Sequence, residues 1–310
     1  MADTLNLVNP EDSLSCKYEI SKFPDGQQSV RIVEHNNETF ETIRKHTYGI
    51  TIKSRLNDFR DLELIICATQ ALKEIGVKTI RLYIPYCIGG RSDRKFQEGE
   101  TNYIKNVIAP IINSQGYEKV TIMDPHSDIL EACINNFEKV DNIKLVQDAL
   151  FHYWVNDGKI ISDMSNIVFL SPDAGALKKV YKVADNFQSE CDVVVCSKYR
   201  DINGKLSKTT VPLTEELMDK DLFIVDDICD GGGTFVNLAR TIKENEQFKG
   251  RIYLIVTHGI FSAGFDTLSE YFDRIYTTNS IKDIQDGTIV NTFSKHKTIH
   301  ELVKQLNVFR

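Results

Sequence analysis

Nine residues concentrate the polar chemistry of this chain: Asp226, Asp227, Ile228, Cys229, Asp230, Gly231, Gly232, Gly233 and Thr234 follow directly on the apolar run Asp221 to Val225. An apolar strand, a glycine-rich turn and then the helical pattern from Phe235 to Ile242 form an arrangement in which free backbone N–H groups at a helix start can cradle an anion. The glycines allow close approach and positive φ, and Thr234 could cap the helix and donate its hydroxyl. Asp226, Asp227 and Asp230 would repel a phosphate, so the ligand must have two ends. Hydroxyl groups of a sugar suit the carboxylates, which accept hydrogen bonds and can help hold a metal, while a phosphate suits the turn. A phosphorylated pentose has that polarity. No Lys follows the glycines, so the stretch is not a nucleotide P-loop. Taken alone, it could equally be a helix start with ordinary Asp and Gly capping.

Further polar clusters follow other apolar runs. Arg91, Ser92 and Asp93 come after Arg81 to Ile84; Asp124, Pro125 and His126 after Lys119 to Met123; Asp173 and Gly175 after Ile167 to Leu170; Lys198 and Arg200 after Asp192 to Cys196; His258 after Arg251 to Val256. Each has a plainer account. His126 could be a turn histidine, Asp173 a helix cap, Arg91 an exposed basic loop, Lys198 and Arg200 a solvated edge, and His258 a support for its neighbouring loop. Two cations placed two residues apart after a strand could also stabilise charge on a transferring phosphoryl group, Arg as a fork and Lys as a point charge.

The elements that must position these groups are legible as an alternation. Short Ile-, Val- and Leu-rich runs at Tyr48 to Ile52, Thr79 to Ile84, Lys119 to Met123, Ile167 to Leu170, Asp192 to Cys196, Asp221 to Val225 and Arg251 to Val256 read as buried strands. Helical periods lie between them, clearest where Leu62, Ile65, Ile66, Leu72 and Ile75 keep one face apolar before Gly76. Such alternation predicts right-handed crossovers and mainly parallel sheets with helices on both faces. In such sheets ligands collect outside the carboxyl ends of the strands, where these clusters fall. The alternation runs once to about residue 146 and begins again over 147–289, which predicts two α/β units, and a last helix at Thr298 to Leu306 could close either one, so 290–310 could join the first.

Composition bounds the partners. The 310 residues are 42% hydrophobic and 26% charged with a net charge of -7, which argues against a protein living on nucleic-acid backbones or anionic membranes. Seven cysteines without a Cys-x-x-Cys pair fit neither a disulfide framework nor a zinc site. No apolar run is long enough to cross a bilayer and the first residues lack a signal pattern, so a cytoplasmic protein is expected.

The clusters IPYCIGGRSDRK, IMDPH, SPDAGALKK, CSKYR, VDDICDGGGT and THGIFS resemble, in order and spacing, those of the ribose-phosphate pyrophosphokinases, over about Phe23 to Ile281. That resemblance implies two tandem type I phosphoribosyltransferase-like domains with a site at their interface. It also implies the reaction of Mg-ATP with ribose 5-phosphate to give 5-phosphoribosyl 1-diphosphate and AMP. By motif, Asp226 and Asp227 would hold the ribose hydroxyls and Asp230, Gly231, Gly232, Gly233 and Thr234 the 5-phosphate. Asp173 would stand at a magnesium site near the sugar, His126 would meet the magnesium-bound ATP phosphates, and Arg91, Ser92 and Asp93 the nucleotide. Lys198 and Arg200 match a mobile catalytic loop. Phe23, Asp25 and Gln27 match a segment that reaches the adenine of a neighbouring subunit in a homo-oligomer, a dimer or hexamer. Departures are Gln27 where the family carries Glu, Ser92 where it carries Gln, and Gly231 where it carries Thr. Its opening strand has no clear counterpart before Phe23. Two other readings stay open: a phosphoribosyltransferase consuming that product, which would not need the DPH, RSDRK and SKYR clusters, and a non-catalytic regulatory paralogue, which could lose His126, Lys198 and Arg200.

Overall fold

The computed structural model describes the chain except residues 1–2, 14–15, 36–38, 46–48, 96, 157, 188–191, 201–205, 286–288, 291–296 and 310, and gives the backbone alone at 198–200, 206–208, 289–290 and 297–300. The chain divides into two compact units, Met1–Asp141 with Asn307–Arg310, and Asn142–Leu306. The segment 290–306 thus groups with the second unit.

The first unit carries strands β1 (Asp3–Asn6), β2 (Lys17–Lys22), β3 (Gln28–Val33), β4 (Ile50–Lys53), β5 (Ile80–Tyr83), β6 (Lys119–Met123) and β7 (Phe137–Val140). Its described α-helices are α1 (Phe40–Arg44), α2 (Phe59–Glu74), α3 (Ala109–Ser114) and α4 (Ile129–Cys133). Five strands form a sheet in the order β1-β4-β5-β6-β7, every pair parallel. β1 corrects the expectation that the opening strand is missing: Asp3 to Asn6 pair in register with Ile50 to Lys53. Four residues with a single strongly apolar side chain, Leu5, leave no periodic signal, yet Leu5 is fully buried. α2 begins at an Asp58 cap, whose side chain accepts from Arg60 and Asp61 N–H, and lays Leu62, Ile65 and Leu72 into the core as the sequence pattern predicts.

The second unit carries β8 (Ile167–Ser171), β9 (Asp192–Val195), β10 (Ser197–Arg200), β11 (Leu206–Thr210), β12 (Asp221–Cys229), β13 (Ile252–Gly259), β14 (Arg274–Thr278), β15 (Ile289–Val290), β16 (Lys297–Thr298) and β17 (Val303–Leu306). Its described α-helices are α5 (Ile143–Asn156), α6 (Leu177–Asn186), α7 (Gly233–Lys243), α8 (Asp266–Tyr271) and α9 (Ile299–Leu302). Six parallel strands run in the order β17-β14-β13-β12-β8-β9. Alternate residues of β12 enter opposite cores. Leu222 and Ile224 pack with Phe235 and Leu238 of α7 and Leu268 of α8, and Phe223 and Val225 pack with Tyr153 of α5 and Val180 of α6. Burial on both faces is why the run is continuously apolar rather than alternating. The helix expected over Thr298 to Leu306 stops at Leu302, and Val303–Leu306 becomes an edge strand beside β14. The two central strands also outlast their apolar runs: β12 continues to Cys229, with Asp226 opposite Val256, and β13 continues to Gly259. Asp226, Asp227 and His258 therefore stand inside strands and not after them.

Among the described residues, no helix is long and apolar enough to cross a membrane.

Candidate active site

β12 delivers the carboxylates. Asp227 is buried at 5% exposure, and its backbone N–H donates to Asp226 Oδ1 at 2.9 Å. Burial, and next the neighbouring Asp227 carboxylate, push the Asp226 carboxyl well above its usual range. Lys179 on α6 approaches Asp227 Oδ1 to 3.6 Å, with only a fifth of its side chain exposed. Lys179 was given no role by sequence reasoning. Its only signal is its place in SPDAGALKK, since the pairing exists because α6 packs over the end of β12.

The turn after β12 corrects one detail of the anion cradle. The residue capping α7 is Gly232, at φ +79°, and no side chain caps this helix; Thr234 lies inside its first turn. A side chain at 232 would meet Leu268 Cδ2 at 3.1 Å besides adopting a left-handed backbone, so glycine is required there. The first-turn N–H groups of a helix lack partners within it, and here no side chain supplies a cap for them, which is the chemistry an anion completes. Beside the turn, Ser262 Oγ donates to Asp230 Oδ1 at 2.7 Å. Cys196 and Cys229 are buried, and desolvation pushes each thiol to about 12, so both act as apolar packing and not as nucleophiles.

Asp173 follows β8 at the same carboxyl edge. Its Oδ1 accepts from the N–H groups of Gly175 and Ala176 at 2.8 and 3.1 Å, which closes the turn before α6; the residue capping that helix is Ala176 and not Asp173. His258 is buried with Nδ1 2.9 Å from Ser280 Oγ, and so braces the loop after β14. Lys198 and Arg200 stand in β10, which pairs antiparallel with β11, Lys198 opposite Thr209 and Arg200 opposite Leu206. Their side chains lie outside the described residues.

In the first unit the adjacent strands β5 and β6 bring two expected clusters to one sheet edge. After β5, Gly89 turns at φ +76°, and any side chain there would strike Tyr103 at 2.2 Å, so Arg91 and Ser92 are carried on a tight glycine turn. Both are exposed, whereas Asp93 is buried and pairs with Arg94 Nε at 3.2 Å. After β6, buried Asp124 adopts φ +43°, strained for a non-glycine residue, with its N–H donating to Val140 at 2.7 Å. The exposed His126 follows it. Phe23, Asp25 and Gln27 form the tip of the β2–β3 hairpin, closed by Phe23 N–H to Gln27 O at 2.9 Å and Gln27 N–H to Asp25 Oδ1 at 3.1 Å. Phe23 is half exposed.

Among the described residues, no three His, Cys, Asp or Glu side chains converge as a ready-made metal cage. A magnesium ion that keeps its waters and takes one or two carboxylates needs no such cage. The paired Asp226 and Asp227, with one carboxyl already forced toward its protonated form, are chemically suited to a cation nearby.

Comparison with known proteins extends this geometry. A family model for the phosphoribosyl transferase domain matches residues 149–288, which hold the β8, β12 and β13 edge. A ribose-phosphate pyrophosphokinase of Mycoplasmopsis pulmonis is 27% identical over 85% of this chain and 76% of its own length. Another from Pyrococcus abyssi is 26% identical over 89% of this chain and 85% of its own. The crystal structure of phosphoribosylpyrophosphate synthetase from Mycobacterium smegmatis superposes with a TM-score of 0.71 over 97% of this chain and 88% of that one, at 17% identity, which establishes the fold of two phosphoribosyltransferase-like units. The similarity thus reaches well beyond the sugar-phosphate loop: over most of its length this chain resembles the ribose-phosphate pyrophosphokinases.

Proposed function

We propose that the protein is a ribose-phosphate diphosphokinase, transferring the β,γ-diphosphoryl group of Mg-ATP to the C1 hydroxyl of ribose 5-phosphate. The observation that carries the reading is the end of β12: paired carboxylates followed by an αL glycine and a helix start that no side chain caps. Asp226 and Asp227 accept hydrogen bonds from the ribose hydroxyls, and Asp230 through Thr234 hold the 5-phosphate against the first-turn N–H groups of α7. Held there, the sugar presents its C1 oxygen for in-line attack on the β-phosphorus. The new O–P bond forms as the bond from the β-phosphorus to the AMP oxygen breaks, and the C1 hydroxyl proton passes to solvent. Catalysis of this kind rests on positioning and on cations around the transferring group.

Arg91, Ser92 and Asp93 with His126 take the nucleotide, at the shared edge of β5 and β6. Lys198 and Arg200 supply positive charge to the phosphoryl oxygens. Magnesium, when bound with ATP, neutralises phosphate charge, and Asp173 and His126 are the residues assigned to it. Phe23, Asp25 and Gln27 serve the adenine of a second subunit in a homo-oligomer. Gln27 keeps hydrogen-bonding capacity without the charge of Glu. The intact DPH, RSDRK and SKYR clusters favour this reaction over consumption of its product and over a silent paralogue.

Incubation with Mg-ATP and ribose 5-phosphate should yield AMP and 5-phosphoribosyl 1-diphosphate in equal amounts. Absence of AMP, with and without added inorganic phosphate, overturns the reading; release of diphosphate from 5-phosphoribosyl 1-diphosphate with a nucleobase would replace it by the transferase alternative.

A further inference from the structure

Resting on that reading, we propose that Ser262 is a positioning residue for the 5-phosphate, standing in for the side chain that Gly231 lacks. The loop between β13 and α8 is pinned to the end of β12 by backbone bonds. Ile260 and Phe261 N–H groups donate to Cys229 O at 2.9 and 3.2 Å, and Ser262 N–H donates to Asp230 O at 3.2 Å. Phe261 takes φ +46° on this course, a left-handed conformation that an L-residue rarely adopts. It is held there because its ring is buried and packs so closely over Gly259 that a Cβ on Gly259 would sit 2.1 Å from it.

The product of this strain is the placement of one hydroxyl. Ser262 Oγ lies 3.7 Å from the point where a side chain at 231 would begin, and 2.7 Å from Asp230 Oδ1. A carboxylate beside a bound phosphate repels it unless its oxygens are turned aside. Ser262, itself exposed, holds Asp230 Oδ1 in one direction and sets a hydroxyl beside Gly231. It therefore acts through Asp230 and the loop, and not by contact with the reacting atoms.

The test compares binding of ribose 5-phosphate, measured by titration calorimetry on the full chain, with binding of Mg-ATP. Ser262→Ala should weaken ribose 5-phosphate about tenfold, the low end of the loss of a hydrogen bond to a charged group, while Mg-ATP changes less than about twofold. Ser262→Thr keeps the hydroxyl and should bind as the wild type, and Gly231→Ser in the Ser262→Ala background should recover part of the loss. Asp230→Ala should make the Ser262→Ala effect largely disappear, because the two act as one unit. Equal weakening of both ligands, unchanged ribose 5-phosphate binding in Ser262→Ala, or no rescue by Thr overturns the proposal. If the wild type binds ribose 5-phosphate but forms no AMP, the catalytic reading falls while the Ser262 effect is still read from binding. If the wild type does not bind ribose 5-phosphate, both fall.

Discussion

The carboxylates at the end of β12 set up a conflict between stability and binding. Asp226 has its carboxyl raised from the usual 3.8, first by burial and then by Asp227. A carboxyl with a raised native pKa contributes stability that is fully present below the unfolded value and is lost as pH rises through the folded one. Asp226→Asn should therefore raise the Tm of the ligand-free protein at pH 7, with the gain vanishing as pH falls toward 4, while stabilisation by ribose 5-phosphate shrinks. A lower Tm at pH 7 would show that the charge is not strained. Lys179 works in the opposite direction. Its ion pair with the buried Asp227 is itself mostly buried, so Lys179→Met should destabilise by somewhat less than the ~3–5 kcal/mol of breaking a fully buried pair. Denaturant titration should show the fall in midpoint, and an unchanged midpoint would remove Lys179 from the site. The three aspartates drew notice in the sequence because they follow an apolar run and precede a glycine turn, and only their company with the other clusters set them apart from ordinary capping. Lys179 and Ser262 were not, because what they touch is decided by how α6 and the β13–α8 loop pack, which no local pattern encodes.

At the scale of elements, the site is the junction of a strand that overruns its apolar segment and a helix whose start is opened by glycine. Gly232→Ala imposes a left-handed backbone on alanine, about 1–2 kcal/mol, and presses Cβ against Leu268 at 3.1 Å. The α7 start must then shift, so Gly232→Ala should lower stability by about that amount and weaken ribose 5-phosphate more than Mg-ATP. Gly233→Ala, with nothing within 4 Å of its Cβ, should be nearly neutral for stability, and equal losses in the two variants would refute the distinction. The same contrast explains which elements the sequence revealed. Strands buried on both faces, such as β12 and β13, carry unbroken apolar runs and were readable. β1 and β17, short strands at sheet edges, and the β2–β3 hairpin, with exposed residues along β2, owe their existence to a partner strand and carry little periodic signal. The overrun of β12 was hidden for a related reason: backbone pairing to β13 continues where side-chain hydrophobicity stops.

At the scale of the molecule, each unit has its own hydrophobic core, and the residues assigned to the two substrates are divided between the units. The hairpin tip with Phe23 belongs to the first unit, yet Phe23 leaves 51% of its surface exposed, a large apolar ring at the end of an antiparallel ribbon. If that tip serves the adenine of a neighbouring subunit, damage to the tip and damage to the phosphoryl-transfer cations fall on different active centres of one assembly. Phe23→Ala and Lys198→Ala proteins, each poorly active alone, should then regain activity when mixed under conditions that exchange subunits. In a dimer with two shared centres, random exchange makes half of the molecules heterodimers, and each of these carries one centre with both residues intact. About a quarter of wild-type activity should therefore return, and a sedimentation profile should show the assembly that carries it. Activity of the mixture equal to the sum of its parts would place Phe23 in service of its own subunit or of none.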